Sequence, residues 1–376
     1  MNRAEAPAGL PDILVPFVTL SYPTDAPAHP DAFPTSKFFS IGLLDGCLIV
    51  TCIAVMAILR DVTRVFLMEP FAKWYLTRLF MHESESKKAT TNGHSNGHAN
   101  GYPAEKKNGA PPSALSKRKD RIIHRSVLRF AEQSWSLVYY TVQFAYGLYV
   151  HFNLPTAPFN LVRLWEGYPH FPLAGPVKFY YLTQTAFYLH QILILHAEAR
   201  RKDHYQMLSH HVITIALMVA SYFYNFTRVG CLLMVLMDTC DIFLPLAKML
   251  RYLKFPTLCD IMFGVFLLSW LITRHILFIL VIVSTFVDVP KVLPYAWIPE
   301  EGVWFTRQVY IAFVSMLVSL QVLQVLWFAE IAKIAWLVIT GQGADDTRSE
   351  DEDEPSQPHT SEEEAPATPT MKKRRR

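Results

Sequence analysis

The chain has 376 residues, of which 51% are hydrophobic and 18% charged, with a formal net charge of +3. It is too apolar for an ordinary soluble domain, and its basic clusters sit beside apolar runs rather than forming the continuous stripe that nucleic acid requires. Five cysteines (Cys47, Cys52, Cys231, Cys240, Cys259) lie in or beside apolar segments without a CxxC pair, which argues against a disulfide framework and a zinc finger.

Residues 1–37 lack the positive n-region and short apolar core of a signal peptide, so the first membrane helix is expected to do the targeting. A bilayer core of about 30 Å takes roughly 20 apolar residues in a helix. Seven stretches qualify: 38–60, 131–152, 178–198, 207–224, 229–249, 258–286 and 305–338. The first helix is read as reaching residue 68. A Gly-, Asn-, Ser- and Lys-rich linker at 82–120 and an acidic tail at 342–376 bury too little surface to fold and are expected to be disordered. Between them, 125–340 forms the membrane domain, and the fold class is an all-α polytopic membrane protein.

Orientation follows from Lys and Arg. Lys117, Arg118, Lys119, Arg121 and Arg125 end the linker; Arg200, Arg201 and Lys202 follow the third span; Lys248, Arg251 and Lys254 follow the fifth. The positive-inside rule makes all three loops cytosolic. The N-terminus is then lumenal and the tail cytosolic.

In the third span Tyr181, Gln184, Tyr188 and Gln191 fall at helical spacing on one face. That face lines either a helix contact or a pocket wall. The fourth and fifth spans form a hairpin whose turn centres near Phe226. His211 precedes that centre by 15 residues and Asp241 follows it by 15, so antiparallel packing brings them to one level, near the cytosolic side. Asp238 shares a face with Asp241, and His210 adjoins His211. Carboxylates at membrane depth cost roughly 2.5 to 3.5 kcal/mol each on insertion scales and are kept for a partner or a function. A neutral imidazole can serve as base or nucleophile while a carboxylate sets its tautomer, which suits acyl transfer. Two rival readings use the same residues. The carboxylates could hold helices together through Arg228, Arg274 or the histidines, or the four groups could ligate zinc or iron. Arg274, inside the sixth span, calls for a carboxylate or a substrate anion. Glu330 and Lys333 form an i, i+3 pair. The sequon at Asn225 lies in a membrane-hugging turn and is expected to go unused.

The stretches AEQSWSLVYY from Ala131, LWEGYP from Leu164, KFYYLTQTAFYLHQ from Lys178, ARRKDHYQMLSHHVITIALM from Ala199, SYFYNFTRVG from Ser221 and MDTCDIFLPLAKML from Met237, with Arg274, resemble one known family. It is the membrane domain shared by translocating-chain-associated and longevity-assurance proteins, and within it the fungal ceramide synthases. The resemblance implies a six-helix TLC bundle around a lipid cavity, with a peripheral N-terminal helix. It also implies transfer of a fatty acyl group, of very long chain, from acyl-CoA to a sphingoid base in the endoplasmic reticulum. In that reading His210 carries the acyl group, His211, Asp238 and Asp241 move protons, and Tyr181, Gln184, Tyr188, Gln191, Ser221, Asn225, Arg228, Lys248 and Arg274 contact substrate. No metal and no cofactor is implied, acyl-CoA being a substrate. The expected partners are membrane lipids, a small single-span regulatory subunit and a homo- or hetero-dimer of synthase subunits, with no nucleic acid. Ser349 and Ser361, in acidic surroundings, are phosphorylation candidates. Met237 stands where many animal members have a histidine, as in yeast-type members, and Pro245 replaces a small or acidic residue. A non-catalytic lipid-binding or translocon-associated protein on the same scaffold is the alternative, and a metal-dependent lipid hydroxylase or desaturase is a third reading.

Overall fold

Apolar runs must satisfy every backbone amide inside lipid, and this chain does so with helices. A computed structural model describes residues 2–93, 114–156, 160–197 and 203–340. Its long elements are α1 (Asp45–Asp61), α2 (Glu69–Gly93), α3 (Ala114–Phe152), α4 (Gly175–Ala197), α5 (His204–Phe223), α6 (Thr227–Tyr252), α7 (Pro256–Trp270), α8 (Phe278–Val287) and α9 (Arg307–Ile339). Wide π turns at Val62–Met68 and Leu271–Leu277 join α1 to α2 and α7 to α8, so each pair forms one continuous rod.

Among the described residues these elements make seven rods. Five are long and apolar enough to cross a membrane: Asp45–Met81, His204–Phe223, Thr227–Tyr252, Pro256–Val292 and Arg307–Leu337. The protein is a multi-pass, all-α membrane protein. In α3 and α4, buried polar groups at Gln143, Lys178, Thr183, Gln184 and His190 dilute the apolar content, and packing turns them inward.

Two boundaries differ from expectation. The first rod starts at Asp45 rather than 38, because Phe38–Phe39 (β2) is the middle strand of a small antiparallel sheet with Pro23–Thr24 (β1) and Leu173–Ala174 (β3). The linker expected to be disordered from 82 is helical at both ends, where α2 runs on to Gly93 and α3 begins at Ala114, while 94–113 lie outside the described residues. The acidic tail with Ser349 and Ser361 also lies outside them.

The N-terminal segment is locked onto the bundle by charge. Lys178 on α4 and Asp45 at the start of α1 are fully or almost fully buried, with Nζ 2.7 Å from Oδ1. Lys178 also donates to the carbonyls of Ser21 (2.8 Å) and Ser40 (2.6 Å), and the Tyr222 hydroxyl donates to Asp45 Oδ2 at 2.7 Å. Each charge thus has an opposite charge and further polar partners, the condition under which burial of an ion pair is tolerated.

Around the α5–α6 turn, Asn225 adopts a positive φ of 60°, a conformation open to Asn because its short side chain can bond locally. Its Nδ2 donates to the Gly302 carbonyl at 2.8 Å, and the residue is buried. The nitrogen a glycan would need is therefore occupied. Gly302, at φ 73°, turns the hairpin of β4 (Ala296–Ile298) and β5 (Val303–Phe305). This end of the bundle is the hairpin end; the other, carrying the α6–α7 connection with Arg251 and Lys254, is the basic end.

Candidate active site

The inner faces of α4, α5, α6, α8 and α9 enclose an apolar cavity with about 910 Å³ of empty space, its open portion included. On α5 the wall is formed by His210, Thr214, Leu217 and Ser221, and on α9 by Phe313, Leu317 and Leu320. Both sets keep the three- and four-residue spacing of a single helix face. Trp165, Phe226, Phe305 and Tyr310 line the hairpin end. Helices two to seven were expected to surround the cavity. Among the described residues the second rod, α3, contributes no wall, because it packs on the outer side of α6 and α4.

The cavity's hairpin end is pinned by a polar chain. Trp165 Nε1 donates to Ser284 Oγ at 3.0 Å, and Ser284 Oγ donates to Asp288 Oδ2 at 2.7 Å. Arg228 lies just outside, donating to the carbonyls of Arg163 (3.2 Å) and Glu166 (2.6 Å) and pairing with Asp31. It holds loops at the hairpin end and does not line the cavity. In the same loops, burial and the nearby Arg228 guanidinium push the His170 imidazole down to about 4.

Near the basic end the polar residues collect. His210 lines the cavity, with its ring centroid 5.1 Å from Trp327 and 5.5 Å from His211. The His211 ring lies 5.9 Å from Tyr188. One turn back on α4, Gln184 Nε2 donates to Asp238 Oδ2 at 2.5 Å, while the Tyr139 hydroxyl donates to Gln184 Oε1 at 3.1 Å. Asp241 accepts from Arg274 Nη2 at 2.7 Å, and the same nitrogen reaches the Met237 carbonyl at 2.8 Å. The Arg274 guanidinium lies 4.3 Å over the Trp270 ring. It sits in the π turn Leu271–Leu277, a feature often found at functional sites.

The histidines and carboxylates therefore share a level, as the hairpin register requires, but not a hydrogen bond. Nδ1 of both histidines is buried without a partner, and so is Asp238 Oδ1. The carboxylates were expected to set the imidazole tautomers. Instead Gln184 and Arg274 claim them first, because both project from neighbouring rods at the same depth. Among the described residues no three His, Cys, Asp or Glu side chains are grouped to hold a metal ion.

Of the remaining expected contacts, Tyr181, Tyr188 and Ser221 line the cavity. The Tyr181 hydroxyl is held by Ser221 Oγ and the Thr227 carbonyl, both at 3.2 Å. Gln191 and Lys248 are half-buried and away from the cavity wall, and the buried Asn225 in its turn does not line it either. Glu330 and Lys333 do pair, at 2.7 Å on an exposed face. Sequence reading missed Trp165 and Gln324. Gln324 is fully buried one turn beyond Leu320. The signal was present, because Phe313, Leu317, Leu320, Gln324 and Trp327 alternate by four and three with a polar residue inside an apolar stripe.

Residues 129–333 match the TLC domain, the family of TRAM, LAG1 and CLN8 proteins, and this stretch holds every helix that builds the cavity. The chain belongs to the TLC-domain family. This TLC-domain protein is 40% identical to sphingosine N-acyltransferase lag1 of Schizosaccharomyces pombe, over 61% of this chain and 58% of the relative. It is 38% identical to the sphingosine N-acyltransferase-like protein ALT7 of Alternaria alternata, over 61% and 60%. It is also 36% identical to ceramide synthase FUM18 of Gibberella moniliformis, over 62% and 61%. The chain thus spans about three fifths of the length of these curated relatives.

Proposed function

We propose that this protein is a ceramide synthase, transferring a fatty acyl group from acyl-CoA to the amine of a sphingoid base in the membrane of the endoplasmic reticulum. The observation that carries the reading is an apolar cavity, deep enough for a fatty chain, that ends at His210. The names of the relatives point the same way. With the basic end in the cytosol, a bulky thioester can approach His210 from water while its chain extends towards the hairpin end.

A ring nitrogen of His210 attacks the thioester carbonyl and the coenzyme A thiolate leaves, taking up a proton. The sphingoid amine then attacks the acyl-imidazole and forms the amide, and the departing ring nitrogen takes up the amine's surplus proton, which restores the neutral imidazole that gave its own proton to the thiolate. No electrons are exchanged, so this chemistry calls for no redox cofactor. Gln184, Tyr139 and Arg274 hold Asp238 and Asp241 beside the histidines, where the carboxylates can assist proton movement. A single-span regulatory subunit and pairing of synthase subunits belong to the same proposal through the family resemblance.

The lining residues on α5 run from His210 to Ser221, about 16 Å at a helical rise of roughly 1.5 Å per residue, and Trp165, Phe226 and Phe305 close the hairpin end beyond them. One leaflet of a bilayer core of about 30 Å gives an ordinary acyl chain about 15 Å, so the cavity has room for an ordinary fatty chain, and the very long chain belongs to the proposal through the family resemblance. Trp165→Ala should let the cavity run further into the loops. The expected result is a shift of the preferred acyl-CoA towards longer chains, read by assaying a chain-length series; an unchanged preference would show that Trp165 does not set the depth.

Intact-protein mass spectrometry tests the function. Purified protein given acyl-CoA alone should gain the mass of one acyl group and lose it as ceramide appears on addition of sphinganine. Ceramide without an adduct would point to direct transfer, with the histidines as bases. Absence of both would reject the proposal.

A further inference from the structure

Gln324 is an anomaly in the membrane interior. Its side chain is completely buried, its Nε2 donates only to the thioether of Met237 at 3.2 Å, and its Oε1 has no partner. A thioether is a weak acceptor, and an orphaned amide oxygen in an apolar interior calls for an explanation. One helical turn away, Trp327 has a buried Nε1 that is likewise unpartnered. Met237 and His210, the residues these two touch, both line the cavity. One free acceptor and one free donor therefore lie on the same face of α9, directly behind two residues of the cavity wall and beside the histidine that would carry the acyl group.

The chemistry of these two groups selects a ligand. The carbonyl oxygen and sulfur of an acyl thioester are acceptors only, so the reacting group leaves Gln324 Oε1 unsatisfied. An amine brings N–H donors, and a hydroxyl beside it can accept from Trp327 Nε1 while donating elsewhere. We propose that Gln324 and Trp327 form the subsite that receives the polar head of an amino-alcohol lipid, setting its amine against the acyl group at His210. This rests on the N-acyltransferase reading and deepens it by placing the second substrate on α9, opposite the Gln184–Asp238 side of the bundle. The acyl chain then occupies the apolar stripe of Leu320, Leu317 and Phe313 below it.

Three proteins and one lipid test this. Gln324→Met keeps the volume and the contact with Met237 but removes the acceptor. Gln324→Glu keeps an acceptor at the same reach. Sphinganine should raise the melting temperature of the wild-type protein in detergent, as any ligand of the folded state does. It should do so for Gln324→Glu as well and lose this effect in Gln324→Met. In turnover assays Gln324→Met should raise the KM for sphinganine about tenfold, the scale of one lost hydrogen bond, and leave the KM for acyl-CoA in place. Equal responses to sphinganine in all three proteins, or an equal loss in both variants, would overturn the subsite. A wild-type protein that makes no ceramide would instead overturn the functional reading, and its sphinganine melting shift would still decide whether Gln324 binds the amine.

Discussion

His210→Ala is expected to lower ceramide formation by about a thousandfold or more while the protein still folds. The residue stands at the basic end of a cavity whose wall is mostly apolar, and it is the one imidazole in that wall among the described residues. His211 is turned towards Tyr188 and is not part of the cavity wall. Loss of a positioned base alone costs about 10²- to 10⁴-fold, and loss of the nucleophile removes the covalent route altogether. The structural cost should be modest, because the imidazole already borders empty space and its Nδ1 makes no hydrogen bond. A melting curve close to wild type, with the acyl adduct absent from the mass spectrum, is the expected pair of results. Wild-type turnover in this variant would remove His210 from the chemistry. His211→Ala provides the contrast: a smaller loss of rate with the adduct still formed.

The site was legible in the sequence to the extent that helix geometry alone determines it. Equal distances from Phe226 put His211 and Asp241 at one depth, and the four-and-three spacing of Tyr181, Gln184 and Tyr188 put these three on an inward face. What the sequence could not show was which partner each carboxylate takes. That choice depends on how α4 and the α7–α8 rod are rotated against α6, and no residue spacing within one helix reports the rotation of another. Asp238 and Asp241 lie one turn apart on α6, yet one is bound by Gln184 and the other by Arg274. The Arg274 side depends on a π turn, which adds a residue to the turn and re-aims every side chain after it. Pro245 contributes locally, since it lacks the N–H that would otherwise bond the Asp241 carbonyl.

How the N-terminal segment is held was illegible for a related reason. Lys178 and Asp45 lie far apart in the chain, and neither has a charged partner at helical spacing. Only the tertiary fold shows that they neutralise one another, with the carbonyls of Ser21 and Ser40 completing the shell of Lys178. Trp165 shows the same limit. Its tie to Ser284 joins segments that are far apart in the chain and share no local pattern.

Arg274→Met is expected to destabilise the protein by up to about 3 to 5 kcal/mol, the cost of removing one partner from a fully buried ion pair, reduced here because the Asp241 side chain is 24% exposed. The guanidinium is 5% exposed, and its loss strands the Asp241 carboxylate and frees the Met237 carbonyl at the level of the histidines. Stacking over Trp270 is lost as well. The double variant Arg274→Met, Asp241→Leu should recover much of that stability, because replacing both charges with apolar groups of similar size is often neutral or better. It should not recover turnover if Asp241 assists His210 as proposed, since that carboxylate is gone. Thermal melting in detergent and ceramide synthesis, measured on the same four proteins of the double-mutant cycle, separate the two roles. Stability that returns without activity assigns Asp241 to the chemistry and Arg274 to holding it in place. If activity returned with stability, the pair would be a helix brace alone, and the proton-moving role would fall to Asp238 on its Gln184 tether.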